Sequence, residues 1–203
     1  MAKWHGFGRC KTRLSKDIGK NNSAKIQNSM TNHTISVARY LQKKGLIDIT
    51  LAISGLGLNK SKRWSQELGI QNFNLQGRGC LGEKMKRQLM INKKLCLKKD
   101  LKKVIFIGTD LPDLCHLDLL NTIKHLKKYD LILGPSNDGG YWLIALSEKI
   151  LSNHPYLPFI DIKWSKENVL QNTIDNFSSI DLKYKFLHKK IDIDRIIDIE
   201  NRE

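Results

Sequence analysis

The chain has 203 residues, 40% of them hydrophobic, and carries 35 Lys and Arg against 20 Asp and Glu, a net charge of +15. That length suits one domain, residues 1–203, with a real buried core, and 7% aromatic residues leave that core to Leu, Ile and Val. Nowhere do 18 or more apolar residues run together, and no apolar stretch backs the N-terminal charges; a membrane span and a secretory leader are excluded, and a cytoplasmic protein is expected.

Strands and helices alternate along the chain. Residues 23–44 read as a helix, with Ile26, Met30, Val37 and Leu41 near helical spacing. Residues 48–54 (DITLAIS) read as a strand that Gly55 and Gly57 end. A short helix at 61–68, a short strand at 71–75 and a helix at 81–97 follow. Residues 104–107 (VIFI) have no polar face, which suits a central parallel strand covered on both sides. After a helix at 117–127, short strands are expected at 131–133 and 141–146. A helix at 166–177 has Ser165 placed to cap it, a strand falls at 182–187, and Asp194 is placed to cap a closing helix at 195–201. The βαβα order predicts a three-layer αβα sandwich on a mostly parallel central sheet. Ligands of such sheets sit beyond the carboxyl ends of the strands.

Five segments carry candidate chemistry. In VIFIGTDLPDL, residues 104–114, a buried strand ends at Gly108 and puts Asp110 at the ligand edge. A carboxylate there holds Mg²⁺ or Mn²⁺ against a diphosphate; the alternative is a turn former, with Asp113 capping the next helix. In DLILGPSNDGGYWLIAL, residues 130–146, Asp138 stands near a strand end, and Gly139 and Gly140 allow close approach of a ligand. An ordinary Asp-Gly hairpin reads equally from the same letters. In GFGRCKTRL, residues 6–14, Gly6 and Gly8 lie beside Arg9, Lys11 and Arg13, a phosphate-binding composition without the Walker spacing. In LQGRGCLGEKM, residues 75–85, Gly77, Gly79 and Gly82 precede a helix, and Gln76 is placed to bond a base or sugar. Glu83 falls in the first helical turn, where the macrodipole favours it on structural grounds. In DIKWSKENV, residues 161–169, Trp164 either lines an acceptor pocket or fills the core.

The remaining composition is permissive. The positive charge attracts phosphates, nucleic acid or anionic surfaces, or is surface lysine in a chain also rich in Asn and Ile. Its basic residues are spread and form no nucleic-acid motif, so a nucleic-acid partner is not expected. Cys10, Cys80, Cys96 and Cys115 make no CxxC pair, which fits reduced thiols and no zinc site.

Taken in order, GRCKTRL, QGRGCLGEKM, FIGTDLPDL, GPSNDGGYWLI, KWS and DIDRIIDIE resemble a family of small bacterial glycosyltransferase-like proteins of the nucleotide-diphospho-sugar transferase superfamily, whose fold is called glycosyltransferase A. A weaker likeness is to phospholactate and molybdenum-cofactor guanylyltransferases. The resemblance spans about Lys3 to Asp198 and implies a nucleotide sugar or nucleoside triphosphate as ligand, with a small-molecule acceptor. It also implies a divalent metal, Mg or Mn, on Asp110 with Asp138 as second carboxylate, and phosphate contacts from Gly8, Lys11 and Arg13. Gln76 and Gly77 would contact the nucleotide, and Gly139, Gly140, Tyr141 and Trp164 would face the acceptor. The pattern names no catalytic base. Glycosyl transfer is the leading expectation, ahead of nucleotidyl transfer with release of pyrophosphate and of a non-enzymatic or degenerate nucleotide-binding protein. Family members begin with an apolar strand ahead of the basic loop; here Met1 lies almost on that loop and the strand is expected to be missing. Two prolines usual in the loop stand as His5 and Phe7, and an Asp usual in the second glycine loop stands as Cys80.

Overall fold

The computed structural model describes residues 1–95, 103–164, 166–178 and 180–200. It contains two compact units, one of Met1–Leu75, Gly108–Leu117 and Ile191–Glu203, the other of Gln76–Ile107 and Asp118–Lys190.

The first unit is built on a parallel three-stranded sheet in the order β1-β2-β3. A two-residue strand, β1 (Ala2–Lys3), pairs with β2 (Thr50–Ser54) at Ile53 and Ser54, so a strand does precede the basic loop where none is legible in the sequence. Its brevity hid it, because two residues have no period. β3 (Asn72–Leu75) pairs along the whole of β2. Ala2, Ile35, Leu51, Ile53, Trp64 and Ile70 form the core beside this sheet. α1 runs Leu14–Lys43, nine residues earlier than the periodicity indicates, because the helix continues across a non-helical Gly19. Its buried face carries Ser23, Gln27, Thr31 and Thr34 beside Met30, Ile35, Ala38 and Leu41. That half-polar stripe is why apolar spacing alone misplaces its start. α2 (Leu58–Glu67) buries Trp64.

The second unit carries a mixed four-stranded sheet in the order β4-β6-β5-β7. β4 (Val104–Ile107) pairs with β6 (Tyr141–Leu146) antiparallel, so its apolar run does not mark a parallel pairing with that neighbour. β5 (Leu131–Pro135) and β6 form the antiparallel hairpin, and β7 (Tyr184–Phe186) lies parallel to β5. Leu131, Ile132, Leu133, Leu143, Ile144 and Leu146 are all less than 2% exposed, which places the densest core on the hairpin rather than on β4. At about 25 cal/mol per Å² of apolar surface removed from water, each such side chain contributes about 1.5–3 kcal/mol of transfer free energy. Helices α3 (Leu81–Leu95), α4 (His116–His125), α5 (Glu148–Asn153) and α6 (Val169–Asp175) accompany the sheet, and a 3₁₀ turn spans Leu157–Phe159. α6 is shorter than the periodicity suggests, and the expected cap Ser165 lies outside the described residues, as does Cys96.

α7 (Ile197–Glu200) closes the first unit. It starts two residues later than expected, which leaves Asp194 three residues ahead of it. The Asp198 carboxylate reaches back to accept from the backbone N–H groups of Asp194 and Arg195, at 2.8 and 2.7 Å. Among the described residues no helix is long and apolar enough to cross a membrane.

Candidate functional site

The basic loop of the first unit is folded tightly. Arg9 N–H donates to Gly6 C=O at 2.9 Å, and Lys11 C=O accepts from Ser15 N–H at 2.8 Å as α1 begins. Between these bonds Gly8 and Lys11 both take positive φ, +66° and +45°. A non-glycine residue there costs about 1–3 kcal/mol unless its surroundings hold it. Lys11 has such a hold: its side chain is 6% exposed and its Nζ lies 3.2 Å from Asp110 Oδ2. Cys10 beside it is buried, which pushes its thiol pKa up; Lys3 and Lys11 act in the opposite direction.

Asp110 follows β4 through Gly108 and Thr109. Thr109 is buried, and Gln27 of α1 donates to its carbonyl and hydroxyl oxygens, both at 3.4 Å. The backbone of Asp110 is pinned as well, its carbonyl accepting from Ile193 N–H at 3.1 Å. The carboxylate is 38% exposed. Gly108 leaves it room, since a Cβ there would lie 2.6 Å from Asp110 Oδ1. Arg13 pairs with Asp194 at 2.6 Å, with 65% of the arginine side chain exposed. The segment 191–195 therefore belongs to this site through Ile193 and Asp194, which sequence reading used only as a motif. No periodic signal marks a strap this short.

The second unit gathers the other predicted residues into two clusters. Gln76 is buried. Its carbonyl accepts from Arg87, whose guanidinium also donates to Arg78 C=O at 3.1 Å. Gly77, at φ +73°, lies under that guanidinium. Arg87 is the residue that sequence reading missed here; nothing distinguishes it from the other basic residues of α3. Glu83 accepts from Cys80 N–H at 3.0 Å, as an acidic side chain in the first turn of a helix does.

In the other cluster, Asp138 Oδ1 accepts from Ser136 Oγ and from Gly140 N–H, so that oxygen shapes the hairpin turn. Gly139 has φ +81°, and its carbonyl accepts from Leu170 N–H of α6 at 2.9 Å. Tyr141 and Trp164 meet edge to face with ring centroids 6.3 Å apart, and the indole also covers Gly82. Burial drives the Tyr141 hydroxyl pKa far up, with the neighbouring Thr173 hydroxyl acting the other way; the phenol stays protonated and is no general base at neutral pH. Among the described residues no three or more His, Cys, Asp or Glu side chains stand together as a metal cluster.

Residues 37–166 match the family described as "Uncharacterized protein conserved in bacteria (DUF2064)". The chain belongs to the DUF2064 family. A crystal structure from Desulfovibrio desulfuricans G20, provisionally assigned as a nucleotide-diphospho-sugar transferase, is 25% identical, covers 98% of this chain and 81% of its own, and superposes with a TM-score of 0.79. Two structures share the fold at greater distance. The 4-diphosphocytidyl-2C-methyl-D-erythritol synthase of Anaerococcus prevotii DSM 20548 is 15% identical, with 85% of this chain and 86% of that chain covered and a TM-score of 0.59. A CMP:2-keto-3-deoxy-manno-octonic acid synthetase complexed with CTP is 11% identical over 85% of each chain, with a TM-score of 0.51. No curated protein matches the sequence. This DUF2064 chain has the nucleotide-diphospho-sugar transferase fold, as its motifs suggest, and its structural neighbours are transferases of nucleotide sugars and of nucleotides.

Proposed function

We propose that this chain is a metal-dependent transferase acting on a nucleotide-activated substrate, and that it transfers a glycosyl group from a nucleotide sugar. The observation that carries the reading is the meeting of Lys11 Nζ with the Asp110 carboxylate at 3.2 Å, at the end of the basic loop. One cation and one half-exposed carboxylate at a strand terminus are the two kinds of group that a diphosphate and its metal require. The Desulfovibrio desulfuricans G20 neighbour's assignment points the same way.

Asp110 fits a divalent ion. Oδ1 faces the gap left by Gly108 while Oδ2 is held by Lys11, and Mg²⁺ commonly takes only one or two carboxylates, completing its shell with phosphate and water. When bound, the metal would neutralise charge on the departing diphosphate. Lys11 orients the carboxylate and, released from it, offers its ammonium to phosphate. The positive φ of Gly8 brings backbone close to a ligand without a Cβ in the way. Arg13, mostly exposed, exchanges Asp194 for phosphate at little cost because an exposed ion pair contributes only about 0–1 kcal/mol. The acceptor hydroxyl attacks the anomeric carbon and loses its proton to solvent, the bond from that carbon to the diphosphate oxygen breaks, and a nucleoside diphosphate leaves.

The test is a panel of nucleotide sugars and nucleoside triphosphates, each with and without Mn²⁺, read by the melting temperature, which rises with any ligand that favours the native state. A Mn²⁺-dependent rise with one nucleotide sugar, followed by release of nucleoside diphosphate when acceptor is added, is the expected result. A rise with a triphosphate alone and release of pyrophosphate would replace glycosyl transfer by nucleotidyl transfer.

A further inference from the structure

The second unit holds a cavity of about 590 Å³ between the loop after Gln76 and the side of α3. This volume falls within the range of about 300–1,000 Å³ typical of small-molecule sites. Its walls are of two kinds. Among the described residues, Arg78, Lys86 and Arg87 line it with three cations, against the one carboxylate of Glu83. That carboxylate is already engaged by Cys80 N–H at 3.0 Å. Met90 and Ile91 complete the wall with apolar surface, and Met90 is 48% exposed.

The cations are not equivalent. Arg87 is fixed, because its guanidinium donates to the carbonyls of both Gln76 and Arg78 and lies over Gly77, where any side chain would collide with it. A guanidinium already held in place loses little conformational entropy on meeting an anion. Lys86 sits one residue earlier on α3, and Met90 lies one helical turn beyond it at the i+4 spacing that puts both on one face. A charged end and an apolar end thus stand side by side along α3.

We propose that this cavity binds an amphiphilic anion, an organic phosphate whose phosphate rests on Arg78, Lys86 and Arg87 and whose hydrocarbon body covers Met90 and Ile91. Inorganic phosphate satisfies the cations and leaves the apolar wall wet; a neutral amphiphile does the reverse. The inference uses residues of the second unit alone and does not rest on the role proposed for Asp110.

The experiment is calorimetric titration of the full chain with n-octyl phosphate, kept monomeric, and with inorganic phosphate. The wild type is compared with Lys86→Gln, Met90→Ser and Asp110→Asn, each checked for fold by circular dichroism. Octyl phosphate is expected to bind at least tenfold tighter than phosphate. Lys86→Gln should weaken both at least fivefold, Met90→Ser should weaken octyl phosphate alone, and Asp110→Asn should change neither. Equal affinities for the two ligands, absence of binding by octyl phosphate, or a loss in Asp110→Asn with none in Lys86→Gln would each overturn the proposal. The last result would place the ligand on the Asp110 site, and a failed nucleotide panel would leave this outcome untouched.

Discussion

Lys11 Nζ and Asp110 Oδ2 stand 3.2 Å apart although 99 positions separate the two residues in the chain. The pair is lopsided in exposure, 6% for the lysine side chain against 38% for the aspartate. Removing the carboxylate therefore strands a buried ammonium. Breaking a fully buried pair costs about 3–5 kcal/mol, and water reaching Asp110 reduces that here to about 1–2 kcal/mol. Asp110→Ala is expected to lower the unfolding free energy measured in urea by that amount and to abolish Mn²⁺-dependent nucleotide affinity. Metal-dependent affinity that survives in a folded variant would remove Asp110 from the metal role.

The same contact makes Lys11 a competitor for any metal on Asp110. Lys11→Met, which keeps the apolar stem and deletes the charge, is expected to raise the affinity for Mn²⁺ alone severalfold, as read from the spectrum of free Mn²⁺ in paramagnetic resonance. The same variant should weaken nucleoside diphosphates about tenfold, roughly the effect of one charge-assisted bond, and leave nucleosides nearly unchanged. Equal losses for diphosphate and nucleoside would count against a phosphate role for Lys11.

Much of this architecture is legible in the letters, and the misses share physical causes. The order of strands and helices from residue 48 to 146 follows from apolar runs broken by glycine, because those runs are long enough to carry a period. Asp110 and the basic loop stand out for the same reason, a buried strand ending in Gly-Thr-Asp and glycines beside cations. What escaped notice rests on a few local contacts that leave no period in the sequence. β1 is two residues long, Asp198 folds back onto the N–H groups of Asp194 and Arg195 ahead of α7, and Arg87 acts through two backbone carbonyls. The antiparallel direction of β4 against β6 is also invisible in an all-apolar tetrapeptide, which reads alike in either orientation.

Asp138 serves its turn through one oxygen, which accepts from Ser136 Oγ and Gly140 N–H. Asparagine supplies an oxygen of the same reach without the charge. Asp138→Asn is therefore expected to keep the unfolding free energy within the few tenths of a kcal/mol typical of a silent change, and Asp138→Ala to lose about 1 kcal/mol. If Asp138→Asn also keeps Mn²⁺-dependent nucleotide binding, the residue is a turn former; a selective loss of binding in that variant would establish the carboxylate as a ligand.

Gly139 and Gly45 separate backbone strain from collision. Both have positive φ, +81° and +68°, but a Cβ on Gly139 would lie 1.9 Å from the carbonyl oxygen of Glu167, whereas nothing lies within 4 Å of one on Gly45. Gly45→Ala is expected to cost only the left-handed strain, about 1–2 kcal/mol. Gly139→Ala must also move the backbone ahead of α6 and is expected to cost about 3 kcal/mol or more. Equal losses in urea denaturation would show that the Gly139 turn is free to shift.

His5 gives the first unit a pH dependence of definite sign. Its ring packs against Trp4 and Trp64, at centroid distances of 5.9 and 5.7 Å, and its buried Nδ1 has no hydrogen-bond partner among the described residues. Burial lowers its pKa below the ordinary histidine value, with Glu67 acting the other way. The unfolded chain then takes up the proton near pH ~6.5 while the folded chain still refuses it, so the unfolded state binds more protons and stability rises with pH. His5 thus contributes stability that is complete above its unfolded value and is lost as the pH falls through its folded one. His5→Phe keeps an aromatic ring in the same place and cannot titrate. Urea denaturation between about pH 7.5 and about pH 5 should give a flatter stability curve for His5→Phe than for the wild type, and parallel curves would mean that His5 is protonated as readily in the fold as outside it.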